Sequence, residues 1–294
     1  SLAPTKRPVA GYVGRFLPCG TGEVKPSASF RQWLCGGLIA APFRSYIAGM
    51  TTYLTTPQGR HIAYHQTQGR GPGVVFLGGF RSDMTGSKAQ YLQSWAEALG
   101  RAFLRFDYSG HGASHGKFED GAISDWLQDA EAVIHGLTEG PQVLVGSSMG
   151  GWIALLLARS APEKVAGLVT IAAAPDFTRR MRDVEFSTAD RLRLTSAGRV
   201  ERPSDYSDTP YIITRRLIED GEQNLVLDRP LALPMPVRFL QGTADTDVPP
   251  SVAHDLFNHA AGPDIRLTLV KGADHRFSTP DCLNLIADTV TALP

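Results

Sequence analysis

The sequence has few cysteines and no long hydrophobic run. Only three of its 294 residues are cysteine, and they are scattered along the chain as Cys19, Cys35 and Cys282. That number is too small for a disulfide framework, and the spacing contains no Cys-x-x-Cys metal site. No apolar stretch approaches the roughly 20 residues that a membrane-spanning helix needs. We therefore expect neither a disulfide-stapled domain nor an integral membrane contact.

The sequence also has no net charge, because 29 Lys and Arg residues balance 29 Asp and Glu residues. Without an excess of basic residues there is no field to hold nucleic acid, so no nucleic-acid partner is expected. The remaining composition, 43% hydrophobic and 20% charged residues, is that of a globular protein with room for one large α/β domain. Neutral charge and scarce, unpaired cysteine favour a cytoplasmic location.

Residues 1–49 differ in composition from the rest of the chain. They carry six basic residues against one acid, with seven glycines and five prolines, and show no sustained helix or strand period. We expect this segment to be disordered or a presequence, and residues 50–294 to form the folded domain. A presequence would place the protein in the mitochondrial matrix instead. The other interpretation is that residues 1–49 lie upstream of a true start at Met50.

After Met50, short apolar strands alternate with helix-like stretches. This alternation predicts an α/β fold with a mostly parallel sheet and helices on both faces. An antiparallel hairpin precedes it, closed by a turn at 57–59. The predicted strands are 53–56, 61–64, 73–77, 102–106, 143–145, 165–171, 236–240 and 265–270, and the predicted helices are 88–99, 123–137, 152–160, 251–260 and 281–292.

Residues 175–235 interrupt the alternation. They are rich in Arg, Asp and Ser, contain Pro203, Pro210, Pro230 and Pro234, and offer two helical candidates, 188–196 and 211–219. Because ligands of open α/β sheets bind at the carboxyl ends of the strands, an insertion of this size predicts a small helical lid over that edge. The alternative is a surface excursion without a functional role.

A glycine-flanked serine stands between a predicted strand and a predicted helix. The stretch Gly146-Ser147-Ser148-Met149-Gly150 has the pattern G-x-S-x-G, in which the tight turn requires flanking residues almost without side chains. Ser148, at its centre, is the predicted nucleophile, and the alternative is a Gly/Ser turn without chemistry.

An acid and a base follow two later strands. Asp245 comes after strand 236–240 and His275 after strand 265–270, so both should meet Ser148 at one sheet edge. A serine hydroxyl needs such a base, and the base needs a third group to orient it. Asp247 competes with Asp245, but the G-x-x-D spacing favours Asp245, and Asp247 would brace the loop. We expect Asp274 to cap the following helix.

A tetrahedral intermediate would also need preformed hydrogen-bond donors for its oxyanion. The predicted donors are the backbone N–H of Met149, directly after the nucleophile, and that of Phe80, in the loop after strand 73–77. The alternative for the Gly78-Gly79 pair is a simple turn.

These motifs in this order resemble the α/β-hydrolase superfamily from Tyr53 to the C-terminus. They are G-S-S-M-G-G, G-T-A-D-T-D-V-P, G-A-D-H-R-F, F-D-Y-S-G-H-G-A-S and L-G-G-F-R-S-D-M-T-G-S-K-A. Within the superfamily the chain is most similar to palmitoyl-protein thioesterases and acyl-glucuronide esterases. The resemblance implies Ser148, Asp245 and His275 as the catalytic set, and an acyl group that is lipid-like or xenobiotic.

We therefore expect a serine esterase or thioesterase that works through an acyl-enzyme, with no cofactor and no metal. Its substrate would be a small molecule or an acylated protein. Two alternatives stay open: a carbon–carbon bond hydrolase with the same triad, and a non-catalytic ligand receptor on the same fold.

Overall fold

A computed structural model describes residues 51–202 and 210–294. The predicted N-terminal segment, residues 1–49, lies outside the described residues. None of the helices in the described part is both long enough and apolar enough to cross a membrane.

The centre of the domain is an eight-stranded sheet with strand order β1-β2-β4-β3-β5-β6-β10-β12. The hairpin strands β1 and β2 are antiparallel, β2 is antiparallel to β4, and the other neighbours are parallel. The strands of this sheet are β1 (Thr52–Thr55), β2 (His61–Thr67), β3 (Arg70–Leu77), β4 (Arg101–Phe106), β5 (Gln142–Ser147), β6 (Val165–Ile171), β10 (Val237–Gly242) and β12 (Ile265–Val270).

Side chains alternate between the two faces of the sheet and so build two cores. Val75 and Leu77 of β3 belong to one core, together with α2 and α3, while Val74 and Phe76 belong to the other, together with α1 and α8. The helices are α1 (Ser87–Leu99), α2 (Ile123–Leu137), α3 (Met149–Ser160), α4 (Phe177–Arg180), α5 (Thr188–Ala197), α6 (Arg215–Gln223), α7 (Pro250–His259) and α8 (Pro280–Thr291). The predicted α/β fold is confirmed.

Local signals explain where several helices begin and end. α1 ends at Gly100, whose φ of 61° is a left-handed conformation that glycine adopts without strain. α5 begins at Ser187, whose hydroxyl accepts a hydrogen bond from the Asp190 N–H while the Asp190 carboxylate accepts one from the Ser187 N–H. α7 and α8 each begin with a proline, a residue preorganised for the first helical position.

The insertion over residues 175–235 differs in one respect from the sequence prediction. Its described part contains α4, a π-helical turn at Met181–Glu185, α5, α6 and the short strands β7 (Arg199–Arg202), β8 (Tyr211–Thr214) and β9 (Leu231–Ala232). The first four residues of the helix predicted at 211–219 are therefore a strand. β8 contains Ile212 and Ile213, and it pairs antiparallel with β7. The nearest paired residues, Arg202 and Tyr211, are 9 positions apart, so the pairing lies outside the periodicity within residues 211–219 on which the helix prediction was based.

The short strand β9 attaches the end of the insertion to the body of the domain. It pairs in parallel with β11 (Ala260–Ala261), just after α7. The identification of 175–235 as a lid stays a prediction.

Candidate active site

Ser148 occupies the turn between β5 and α3 in a conformation that non-glycine residues rarely adopt, with φ 54° and ψ −118°. Hydrogen bonds hold the turn from both sides. The Ser148 N–H donates to the Ile171 carbonyl at 2.9 Å, and the Ser148 carbonyl accepts from the Ala174 N–H at 3.1 Å. The strained backbone is therefore fixed by β6 and the residues after it.

The two glycines of the turn are required by close backbone contacts. A Cβ atom at Gly146 would collide with the backbone of Gly150. A Cβ atom at Gly150 would collide with the carbonyl oxygens of Leu77 and Gly78, at the end of β3. The sequence argument for glycine at both positions thus has a direct steric basis.

His275 lies between Ser148 and Asp245. Its Nε2 atom is 3.2 Å from the Ser148 Oγ atom, and its Nδ1 atom is 2.9 Å from Asp245 Oδ2. The three residues follow β12, β5 and β10, which are parallel strands that end at the same sheet edge. The structure thus brings together the serine, histidine and aspartate that the sequence singled out.

The Asp245 carboxylate is fully buried and saturated with hydrogen bonds. Besides His275, it accepts from the backbone N–H groups of Asp247 and Val248 at 3.0 and 2.8 Å, and from Gln241 Nε2 at 2.9 Å. Burial opposes ionisation, but the hydrogen bonds from His275, Val248 and Gln241 outweigh it, so the pKa of Asp245 lies below its ordinary value. The carboxylate is therefore ionised at neutral pH.

The two competing aspartates have other contacts. Asp247 supports Asp245 through its backbone N–H, and its carbonyl accepts a hydrogen bond from the Arg180 guanidinium. Asp274 Oδ1 accepts from the Phe277 N–H at 3.0 Å. α8 instead begins after Thr279, whose hydroxyl accepts from the Cys282 N–H. The expectation that Asp274 caps this helix is wrong, because residues 275–278 and the capping threonine lie between Asp274 and the first residue of the helix.

The loop after β3 packs against the serine. A Cβ atom at Gly79 would lie 3.4 Å from the Ser148 Cβ, so the Phe80 backbone follows directly from a residue in contact with Ser148. Met149 is the first residue of α3, and its N–H has no acceptor within the helix. The assignment of the Phe80 and Met149 N–H groups as oxyanion donors stays a prediction.

Asp107, a residue that sequence reasoning did not assign, ties this loop to its neighbour. Its buried carboxylate accepts hydrogen bonds from the Met84 N–H at 2.6 Å and the Ala113 N–H at 2.8 Å. Burial raises the pKa of Asp107, with the two backbone hydrogen bonds opposing the rise. Asp107 is the second residue of the motif F-D-Y-S-G-H-G and the first residue after β4, and this position was the available signal.

Gln241 was also missed by sequence reasoning. It is the buried penultimate residue of β10, and its amide donates both to Asp245 and to the Val248 carbonyl, at 3.1 Å. Its signal in the sequence was a polar residue directly after the apolar pair Phe239-Leu240 of this strand.

Aromatic rings surround the Phe80 side chain. Its ring centroid lies 4.8 to 6.0 Å from four others, in edge-to-face arrangements that aromatic pairs prefer. The four are Phe118, Trp126, Phe177 and Tyr211. Two of them, Phe177 and Tyr211, belong to the insertion, so an apolar wall connects the loop after β3 with the residues predicted to form the lid.

Geometry rather than cavity size identifies the site. A surface cleft of about 290 Å³ lies beside Arg60, His61, His115 and Lys117. Ser148, Asp245 and His275 do not line this cleft. Within the described ranges, no group of three or more His, Cys, Asp or Glu side chains is arranged to hold a metal ion.

Comparisons with known proteins agree with this geometry. Residues 74–284 match the family described as "Alpha/beta hydrolase family". The chain is 33% identical over 244 residues to "Palmitoyl-protein thioesterase ABHD10, mitochondrial" of Bos taurus, covering 82% of this chain and 79% of the relative.

Two solved structures are similar over most of their length. A putative hydrolase from Agrobacterium vitis S4 is 42% identical, with a TM-score of 0.79 over 83% of this chain and 98% of that one. Alpha/beta hydrolase domain-containing protein 10 from mouse is 31% identical, with a TM-score of 0.76 over 83% of this chain and 97% of that one.

Proposed function

The chain belongs to the alpha/beta hydrolase family, and we propose that it is a serine hydrolase that cleaves carboxylic ester or thioester bonds through an acyl-enzyme. The observation that carries the proposal is a chain of two hydrogen-bond contacts. His275 Nε2 contacts the Ser148 Oγ atom, and His275 Nδ1 contacts the buried Asp245 carboxylate. This chain of contacts supplies the three roles that acyl transfer requires: a nucleophile, a base and a group that orients the base.

In the first half of the reaction the Ser148 oxygen attacks the substrate carbonyl carbon. Its proton passes to His275 Nε2, which lies 3.2 Å away. The protonated His275 then gives this proton to the departing alcohol or thiol as the C–O or C–S bond breaks. In the second half a water molecule attacks the acyl-enzyme, gives its proton to His275, and Ser148 leaves with that proton.

Asp245 acts through His275. Its ionised carboxylate keeps the Nδ1 proton on the His275 ring, which leaves Nε2 free to accept, and stabilises the imidazolium that forms. The hydrogen bonds from Gln241, Asp247 and Val248 hold the carboxylate in place, so the ring orientation is set before the substrate binds.

The negative charge of the tetrahedral intermediate would be stabilised by the backbone N–H groups of Phe80 and Met149. Their support is the contact of Gly79 with Ser148 and the position of Met149 at the start of α3. Loss of one such donor typically costs about 3 to 4 kcal/mol of transition-state stabilisation.

For the acyl group we propose a lipid-like chain, as in an S-palmitoyl protein. Support comes from the name of the Bos taurus relative, a palmitoyl-protein thioesterase, and from the apolar cluster that the Phe80 ring forms with Phe177 and Tyr211 of the insertion. Residues 175–235 would form the lid over this chain. Two contacts anchor the insertion to α3: Trp152 Nε1 donates to the Asn224 carbonyl, and Arg159 donates to the Leu225 carbonyl.

For the compartment, the relatives' names favour the mitochondrial alternative. The Bos taurus and Homo sapiens relatives are both named as mitochondrial proteins, and neither name supports the cytoplasmic location expected from charge and cysteine content. We propose the mitochondrial matrix, which expression of the tagged full-length chain and organelle fractionation would test.

A substrate panel tests the activity. It measures kcat/KM for an S-palmitoyl cysteine peptide, short and long p-nitrophenyl esters and an acyl glucuronide, with Ser148→Ala as the blank. We expect the long-chain thioester to exceed the short esters by tenfold or more. Preference for short esters would overturn the acyl-group proposal alone. Absence of Ser148-dependent hydrolysis of every ester and thioester would overturn the proposed activity.

A further inference from the structure

Arg81 follows Phe80, the residue whose N–H is a proposed oxyanion donor, directly in the chain. The residue is exposed, and its φ of 54° lies in the left-handed region that non-glycine residues rarely occupy. Such strain persists only where the surrounding structure imposes it.

Two aromatic rings hold the Arg81 guanidinium. Its Cζ atom lies 5.1 Å from the centroid of the Phe118 ring and 5.4 Å from that of Tyr211. Both rings also contact the Phe80 ring, at 4.8 and 5.9 Å. Phe118 and Tyr211 therefore contact both the Arg81 guanidinium and the Phe80 ring. Since Tyr211 belongs to the insertion, the guanidinium connects the loop after β3 with the insertion.

Within the described part of the chain, the Arg81 guanidinium uses only part of its hydrogen-bonding capacity. It has five N–H donors, and one nitrogen, Nη1, donates to the Pro210 carbonyl at 3.1 Å. Among residues 51–202 and 210–294, no acidic side chain forms an ion pair with Arg81. Arg179 and Arg182 of the insertion, in contrast, are both paired with Glu222.

We propose that the Arg81 guanidinium binds a carboxylate group of the substrate, so that the enzyme prefers esters and thioesters that carry a second, anionic group near the scissile bond. This inference rests on the proposed function and narrows its substrate class. A planar guanidinium held against aromatic rings is preorganised to receive a carboxylate on two of its N–H groups. The carboxylate belongs either to the acyl part or to the leaving group.

Matched ester pairs test the proposal and separate the two sources. On the acyl side, mono-p-nitrophenyl adipate is compared with p-nitrophenyl hexanoate, which has the same chain length and no charge. On the leaving-group side, 4-acetoxybenzoate is compared with its methyl ester. The measured quantity is the ratio of kcat/KM for the charged member to that for the neutral member of each pair.

We expect Arg81→Gln to lower this ratio by tenfold or more in one pair, the pair that identifies the source of the carboxylate. Arg81→Lys should show a smaller loss than Arg81→Gln, because lysine keeps the positive charge but cannot bind a carboxylate with two parallel N–H groups. The matched control is Arg199→Gln. Arg199 is an exposed arginine of the insertion, and its removal should leave the ratios within about twofold of wild type.

A structural role alone would give a different pattern. If Arg81 only ties the loop to Pro210, Arg81→Gln would lower kcat/KM for charged and neutral esters alike, and unchanged ratios in both pairs would overturn the proposal. Titration calorimetry of mono-p-nitrophenyl adipate with Ser148→Ala, and with Ser148→Ala combined with Arg81→Gln, decides the question without turnover. Equal affinities for these two proteins would overturn a carboxylate site on the acyl side even if the proposed hydrolysis failed.

Discussion

The Oδ2 atom of Asp245 lies 2.9 Å from the Nδ1 atom of His275, although the two residues are 30 positions apart in the chain. The carboxylate is fully buried, and His275 is only partly exposed. Because the backbone of residues 247 and 248 and the Gln241 amide bind the same carboxylate, the aspartate cannot turn away from the ring. His275 Nε2 therefore points to the Ser148 Oγ atom, 3.2 Å away.

Removal of the Ser148 hydroxyl tests the nucleophile. We expect Ser148→Ala to lower kcat by a factor on the order of 10⁶, because no other group at the centre of the turn can form the acyl-enzyme. Its urea midpoint should stay close to that of wild type, since the turn is held by backbone hydrogen bonds. Mass spectrometry after treatment with a fluorophosphonate should show an adduct on wild type and none on the variant. Retention of most of the activity would disprove the assignment.

The choice between Asp245 and Asp247 is testable with a matched pair of amides. Asp245→Asn should lower kcat by about 10⁴-fold, because an amide can stabilise the wrong ring tautomer and no longer balances the imidazolium charge. Asp247→Asn keeps the backbone N–H that supports Asp245, so we expect a loss below about tenfold. Steady-state kinetics of both variants on one p-nitrophenyl ester make the comparison. Equal losses, or a larger loss for Asp247→Asn, would reverse the assignment.

Gly150→Ala tests the steric basis of the turn. The added methyl group would collide with the carbonyl oxygens of Leu77 and Gly78, which are backbone atoms that cannot rotate away. We expect a loss of about 2 kcal/mol or more in the free energy of unfolding, together with strongly reduced kcat. The control is Gly86→Ala, where the nearest atom would be 3.5 Å away, an ordinary contact. Chemical denaturation of both variants checks the result, and similar midpoints would contradict the steric argument.

Because His111 is buried, we expect the folded protein to lose stability in mild acid. Burial, with a smaller contribution from the Arg81 charge, lowers the pKa of His111 from 6.5 to about 4. The folded protein therefore keeps this ring neutral while the unfolded chain takes up a proton, so the folded state loses stability as the pH falls from about 6.5 to about 4. The full loss is about 3 kcal/mol.

Urea denaturation at several pH values measures this effect. His111→Gln removes the titrating group, so its free energy of unfolding should fall less steeply than that of wild type between pH 6.5 and 4. His65, whose pKa is also lowered by burial, contributes equally to both proteins and cancels in the comparison. Parallel stability curves for the two proteins would show that His111 is not the group responsible.

The sequence determined the elements with strong periodicity. The helix at 123–137 and the strands at 165–171 and 265–270 have the predicted bounds, because each is a local pattern of apolar residues that the fold leaves intact. The insertion was less predictable. Tyr211–Thr214 is a strand because it pairs with Arg199–Arg202. Such a pairing between two separate segments cannot be predicted from the local sequence of either segment.

For the candidate site, the sequence by itself determined the identity and order of the serine, aspartate and histidine, since each stands at the end of a recognisable strand. Only the tertiary structure decided which atoms meet. It placed His275 between Ser148 and Asp245, added Gln241 and Asp107 as supports, and positioned Arg81 against rings from two separate segments. The positions of the strands along the chain can be predicted from local hydrophobicity. Contacts across a sheet edge depend instead on twist, register and packing, which no single stretch of sequence determines.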